Sequence, residues 1–247
     1  MSAAQRVCSY LGRWDEAAVT GKKALDVAQR FSDKSMISIA AAHLSLGYSW
    51  AGDLSQAVEY GKLSLQNAQT PGDKARSKRS LGWALCRAGK TDRGIELLTD
   101  ATLPIFRTKD FIAFETPLRC YLGEGYWLAG EERKARQMLE EGLKMAYHCG
   151  ARYYVGFAHR ILGEISFKTD LVKAVEHFQK SIAVLQKIKA ENELALAYVG
   201  YGRSYKQNGQ ISQAKEYLTK ALRIFKRIKT LIEQEKVRKI LAKLPDS

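Results

Sequence analysis

The chain has 247 residues, 46% hydrophobic and 27% charged, with 19 glycines and 4 prolines, a composition that excludes a disordered tail, a linker or a fibrous protein. Lys and Arg number 40 against 26 Asp and Glu, a net charge of +14, and the excess gathers at the C-terminal end, where residues 180–247 carry 15 basic and 6 acidic side chains. A field of that sign attracts nucleic acid, acidic proteins or anionic lipid; it speaks to association rather than to fold.

At the N-terminus, polar Ser9 and Arg13 arrive too soon for the apolar core of a secretory leader. The longest uncharged stretch, 35–52, holds His43 and four serines and falls short of the roughly 20 apolar residues of a membrane span. Cys8, Cys86, Cys120 and Cys149 form no CxxC pair and flank no His pair, so neither a zinc site nor a disulfide framework is written here. They read as small buried apolar groups in a reducing compartment, and the expectation is a cytoplasmic protein with no membrane contact and no metal.

Self-similarity then organises the chain. A small residue follows a Gly by five at Gly12 and Ala17, Gly52 and Ala57, Gly89 and Gly94, Gly130 and Ala135, and Gly209 and Ala214; a sixth copy, Asp170 to Ala174, lacks the Gly. The anchors lie 40, 37, 41, 39 and 40 residues apart, which is the signature of a repeat protein. Each copy pairs two helical patterns. Before the turn come Leu81-Gly82 with Leu85, Leu122-Gly123 with Tyr126, Leu162-Gly163 with Ser166 and Tyr201-Gly202 with Tyr205, on one helical face. After it come Ala135, Leu139 and Gly142; Ala174, Phe178 and Ser181; and Ala214, Leu218 and Ala221, again on one face. The turn Gly suits a left-handed helix stop, and Asp53, Asp92, Asp170 and Ser212 are expected to start the following helices. Glycines inside a helix cost about 1 kcal/mol each relative to Ala, so Gly82, Gly123, Gly163 and Gly202 predict close approach of another helix.

This pattern resembles the tetratricopeptide repeat, most fully over Gly123, Tyr126, Gly130, Ala135, Leu139 and Gly142 and over Gly202, Tyr205, Gly209, Ala214, Leu218 and Ala221. The period near 40 exceeds the family's usual 34 or so, and repeat-ending prolines are mostly missing. The resemblance implies an all-α, right-handed superhelical α-solenoid of about six antiparallel helix pairs. Its expected division is a single domain, 1–247: a partial repeat over 1–31, repeats over 32–70, 71–107, 108–149, 150–189 and 190–229, and a capping helix and tail over 230–247. The cap shows Val237, Ile240, Leu241 and Leu244 on one face of a helix expected over 231–244. Stretches 161–165, 197–203 and 230–233 are similar to the C-terminal repeats of bacterial class III nucleotide cyclase and signalling-ATPase fusions. That narrower similarity implies a regulatory module in the C-terminal part of a larger signalling protein, with an effector domain as neighbour; the incomplete first repeat is read the same way.

Candidate chemistry is sparse. Residues 84–91, Ala-Leu-Cys-Arg-Ala-Gly-Lys-Thr, satisfy a relaxed phosphate-loop pattern, but helical spacing precedes them where such a loop needs a strand. His43, His148, His159 and His177 make no HExxH and no i, i+4 pair, and three of them read as helix-surface residues. Glu131-Glu132 and Glu140-Glu141 lie among Arg133, Lys134 and Arg136 and read as ion-paired. No nucleophile elbow occurs, and an enzyme or a cofactor is not expected.

What remains is a surface. The resemblance implies that the first helix of each pair lines a concave groove that holds ligands. Projection one turn either side of the Leu-Gly positions assigns Arg76, Arg79, Trp83, Arg87, Glu124, Trp127, Arg160, Glu164, Phe167, Arg203 and Lys206 to it. Arg and Trp dominate interface energetics, so the expected partner is a protein or peptide segment, an acidic one suiting the net charge. The other reading of Trp83 and Trp127 is inter-repeat core. The family's carboxylate clamp uses Lys and Asn, and none of these positions is Asn. Two alternatives stand: nucleic-acid binding through Lys215, Lys220, Arg223, Lys226, Arg227 and Lys229 with Tyr217 and Phe225 interleaved, and small-molecule sensing in the groove.

Overall fold

The computed structural model describes residues 12–101 and 112–245, and among them every regular element is a helix, twelve in all. They fall into two compact units, one over Arg13–Met145 and one over 146–245. The first holds α1 (Trp14–Arg30), α2 (Lys34–Ala51), α3 (Leu54–Asn67), α4 (Pro71–Arg87), α5 (Thr91–Ala101), α6 (Ile112–Leu128) and most of α7 (Glu132–His148). The second holds α8 (Arg152–Ser166), α9 (Leu171–Lys187), α10 (Glu191–Gln207), α11 (Ile211–Arg227) and α12 (Leu231–Leu241). Residues 1–11, on which the fragmentary first helix was expected, lie outside the described residues.

Turn chemistry sets the pairing of helices. Gly52, Gly89, Gly130 and Gly209 have φ of 87°, 80°, 80° and 75°. A β-carbon on Gly52 or Gly89 would meet nothing within 4 Å, so the left-handed backbone and not lack of room selects glycine there. The residue directly after the glycine accepts the first helical bond: Asp53 from Ala57, Lys90 from Gly94 and Gln210 from Ala214. Asp53 and Asp170 are therefore side-chain caps as expected, accepting from the amides of Gln56 at 3.2 Å and Lys173 at 3.0 Å. Asp92 and Ser212 are not. With one residue between glycine and helix, the cap positions fall on Lys90 and Gln210, and Asp92 and Ser212 lie inside the first turn. Between repeats the left-handed turn residue is Ser32, Gly150, Lys189 or Lys229, with φ of 53°, 67°, 54° and 59°.

Successive first helices touch one another, α2 with α4, α4 with α6, and α8 with α10, while each also packs on its own second helix. Burial follows: twelve of the fifteen residues of α8 are buried against four of the seventeen of α9, so the first helix is the inner layer of the stack. The Leu-Gly glycines mark where a second-helix side chain seats on a first-helix backbone. A β-carbon at Gly202 would lie 2.9 Å from the Leu218 side chain, and one at Gly163 would lie 2.8 Å from the Phe178 ring. Phe178 is fully buried and also fills the notch left by Gly200 on the next first helix.

Polar seams tie α2, α3 and α4 together. Thr70 and Asp73 form a reciprocal capping box at the start of α4, and Asp73 also accepts from Ser35 of α2 at 2.9 Å. Below it, the hydroxyls of Ser38, Ser64 and Ser77 form a buried chain with contacts of 3.1 and 2.6 Å. The C-terminal cap helix stops at Leu241, three residues short of the expected end. Leu244 is buried from the turn that follows, and Val237 supplies the fully buried contact of α12.

Candidate functional site

In the first unit the row α2, α4, α6 is built around aromatic contacts. Trp50 meets Trp83 edge-on at 5.7 Å, Trp83 stacks on Tyr121 at 4.2 Å, and the Trp83 indole N–H donates to Glu124 Oε2 at 2.6 Å. Trp83 and Glu124 are buried, 0% and 4% exposed, so they form the wall between repeats and offer a partner nothing directly. The guanidinium of Arg87 lies over the Trp83 ring at 5.2 Å. That of Arg79 lies over the Phe114 ring at 4.1 Å and donates to the Phe114 carbonyl at 3.4 Å. Arg76, one turn earlier, pairs with Asp73 at 3.0 Å. Trp127 is half-buried near the end of α6.

The second unit repeats the scheme with other partners. Arg160 of α8 and Glu193 of α10 form a buried ion pair at 2.7 Å, with side chains 7% and 1% exposed, so Arg160 also belongs to the wall. Arg203 donates to Glu164 at 3.0 Å and lies over the Phe167 ring at 4.4 Å, and its side chain stays 36% exposed. Lys206 follows at the next position of that face, half-buried. Of the eleven candidates, Arg76, Arg79, Trp83, Arg87, Glu124 and Trp127 lie in the first unit and Arg160, Glu164, Phe167, Arg203 and Lys206 in the second; the contacts among them are Trp83 with Glu124 and Arg87, and Arg203 with Glu164 and Phe167. Sequence reasoning missed Phe114, Tyr121 and Glu193, which orient three of them. The signal that finds Tyr121 and Glu193 is complementarity about one repeat away from Trp83 and Arg160.

The phosphate-loop look-alike is occupied by helix-ending bonds. Residues 84–87 are helical, and the amides of Gly89 and Lys90 bond to the carbonyls of Cys86 at 3.1 Å and Leu85 at 2.9 Å, so neither points at a ligand. Among the described residues no group of three His, Cys, Asp or Glu could hold a metal ion. Three of the four histidines were expected on helix surfaces; His159 is buried. Its Nδ1 lies 3.0 Å from Nδ1 of His177, and its Nε2 lies 3.3 Å from the Tyr147 hydroxyl. Burial, helped by the charges of His177 and Lys180, pushes the His159 imidazole down to about 4.

That shift has a consequence for stability. The unfolded chain takes up a proton at this histidine near the ordinary value of 6.5, whereas the folded chain resists until about 4. Stability is therefore lost as pH falls from 6.5 to 4 and levels off below. Urea unfolding across this range is expected to show the loss in the wild type and a flatter profile in His159→Gln. Parallel profiles would remove the histidine as the cause.

Several known proteins share this arrangement of helices. Residues 158–227 match the tetratricopeptide repeat family model. The crystal structure of the APC/C hetero-tetramer Cut9-Hcn1 superposes with a TM-score of 0.66 at 18% identity, over 95% of this chain and 42% of that one. Aspartyl phosphate phosphatase F from Bacillus subtilis gives 0.64 at 13% identity, over 87% and 57% of the two chains. BtubC from P. vanneervenii gives 0.61 at 17% identity, over 87% and 92%. No protein of curated function matches the sequence. At these identities the structures speak to fold alone, which is an all-α solenoid of tetratricopeptide type. No helix among the described residues is long and apolar enough to cross a membrane.

Proposed function

We propose that the chain is a non-enzymatic interaction module that holds an extended or helical protein segment, acidic in character, against the exposed edges of its first helices. One observation carries this reading. Guanidinium groups recur on these helices already laid on aromatic rings: Arg79 on Phe114, Arg87 on Trp83 and Arg203 on Phe167. A side chain held in place before binding loses less rotamer freedom when a carboxylate arrives, so more of the interaction survives as affinity. The long repeat and the similarity of 161–165 and 197–203 to the repeats of cyclase and ATPase fusions support a regulatory role in signalling. Cys86 and Cys120 are buried as expected and suit a reducing compartment, whereas Cys149 is exposed, and Cys8 lies outside the described residues.

The test selects binders from a random peptide library on the whole chain and measures the best one against Arg79→Glu combined with Arg203→Glu. Acidic sequences are expected, and the double variant is expected to weaken binding at least tenfold, about 1.4 kcal/mol, while keeping its helical content at the assay temperature. Full affinity in the folded double variant overturns the assignment.

A further inference from the structure

In the second unit two groups hold Arg203 of α10 in place. Glu164 of α8 accepts from Nη1 alone, its two carboxylate oxygens at 3.4 and 3.0 Å, and the Phe167 ring covers a face of the guanidinium at 4.4 Å. The glutamate side chain is 14% exposed and that of the arginine 36%. These contacts leave one edge of the fork unused. Nε–H and the Nη2–H beside it point the same way, have no hydrogen bond among the described residues, and neither nitrogen is sealed from solvent.

Two parallel donors match the two oxygens of one carboxylate. Arg227 of the same unit shows that contact made: its Nε and Nη2 donate to the two oxygens of Glu191 at 3.1 and 2.7 Å. Arg160 has no such edge to offer, since its Nε donates to Glu193 inside the wall, and Nε of Arg79 is buried. Lys206, one turn beyond Arg203, carries a point charge without a fork.

We infer that Arg203 takes one side-chain carboxylate of the partner in a two-point contact through Nε and Nη2, and that Glu164 is the positioning residue that keeps this edge free for it. The inference rests on the reading that acidic segments dock on the first helices. Glu164 acts on affinity in two opposed ways. Its charge repels the incoming carboxylate, while its hold on Nη1 spares the guanidinium the rotamer freedom it would otherwise lose on binding. A pair of substitutions separates the two effects. Glu164→Gln and Glu164→Ala both remove the charge, but only the second removes the acceptor of Nη1.

The test is the affinity of the library-selected acidic peptide for the whole chain and its single variants, read by fluorescence anisotropy, with helical content checked at the assay temperature. Arg203→Lys keeps the charge and loses the fork, and is expected to bind at least about fivefold more weakly than wild type. Glu164→Ala is expected to bind about threefold to tenfold more weakly than Glu164→Gln, the cost of fixing one long side chain on binding. Wild-type affinity in Arg203→Lys overturns the two-point contact. Binding by Glu164→Ala that equals or exceeds that of Glu164→Gln overturns the positioning role. Arg203→Glu tells these failures from a wider one. If it too binds like wild type, acidic segments do not dock at Arg203 at all, whereas weakened binding in Arg203→Glu beside wild-type binding in Arg203→Lys overturns the two-point contact alone.

Discussion

Phe178→Ala is expected to lower the unfolding free energy by about 3–5 kcal/mol, a large part of a domain's margin. The ring is fully buried and sits in two backbone notches at once, Gly163 on α8 and Gly200 on α10. Helix backbones fixed by their own hydrogen bonds cannot fall into the space that a missing ring leaves, so the cavity term stays nearly whole. Because the ring joins two repeats, its loss weakens the interface on which a stack depends as well as the repeat that carries it. Urea unfolding of wild type and variant measures the difference. A loss below about 1 kcal/mol means that the notches close and that the glycines are not there for this side chain.

A comparable loss is expected from Arg160→Met, and here the second half of the experiment is the informative one. Arg160 is the partner that neutralises Glu193, whose side chain is 1% exposed and whose Oε1 is buried without a hydrogen bond among the described residues. Removing the guanidinium strands a carboxylate in a place water does not reach, at about 3–5 kcal/mol. Arg160→Met with Glu193→Leu removes both charges, and most of the lost stability is expected to return, since a buried pair gains little over apolar groups of similar size. If the double variant is as unstable as the single one, the pair is needed for more than mutual neutralisation. This also bears on function. Charge reversal at Arg160 reports on folding, whereas reversal at partly exposed Arg203 reports on binding.

The repeat architecture was legible because its constraints are local. A left-handed turn selects Gly52, Gly89, Gly130 and Gly209, and close helix contact selects Gly82 and Gly163, and both leave their mark at a fixed period. Three inter-repeat turns were not legible, since Ser32, Lys189 and Lys229 adopt positive φ without the residue type that advertises it, whereas Gly150 does advertise its turn. The face occupied by each candidate was only half legible. Helical spacing shows that Trp83 and Arg160 share a side with Arg79 and Arg203, but a first helix is flanked by its neighbours in the stack. A side chain turned toward a neighbour is buried, and one turned between neighbours is not. What decides is the residue about one period away: Glu124 receives the Trp83 indole, Glu193 pairs with Arg160, and Glu164 and Phe167 leave Arg203 partly exposed. Glu141 shows the same thing on a second helix. It pairs with Arg119 of the preceding helix.

The claim that partners are held by the first helices is tested most directly by residue-resolved hydrogen exchange on the whole chain, with and without an acidic peptide selected from the library. Slowed exchange confined to α4 around Arg79–Arg87 and to α10 around Arg203–Lys206, with α5, α9 and α11 unchanged, is the predicted result. Slowed exchange on the outer helices α5, α9 or α11, with α4 and α10 unaffected, contradicts it.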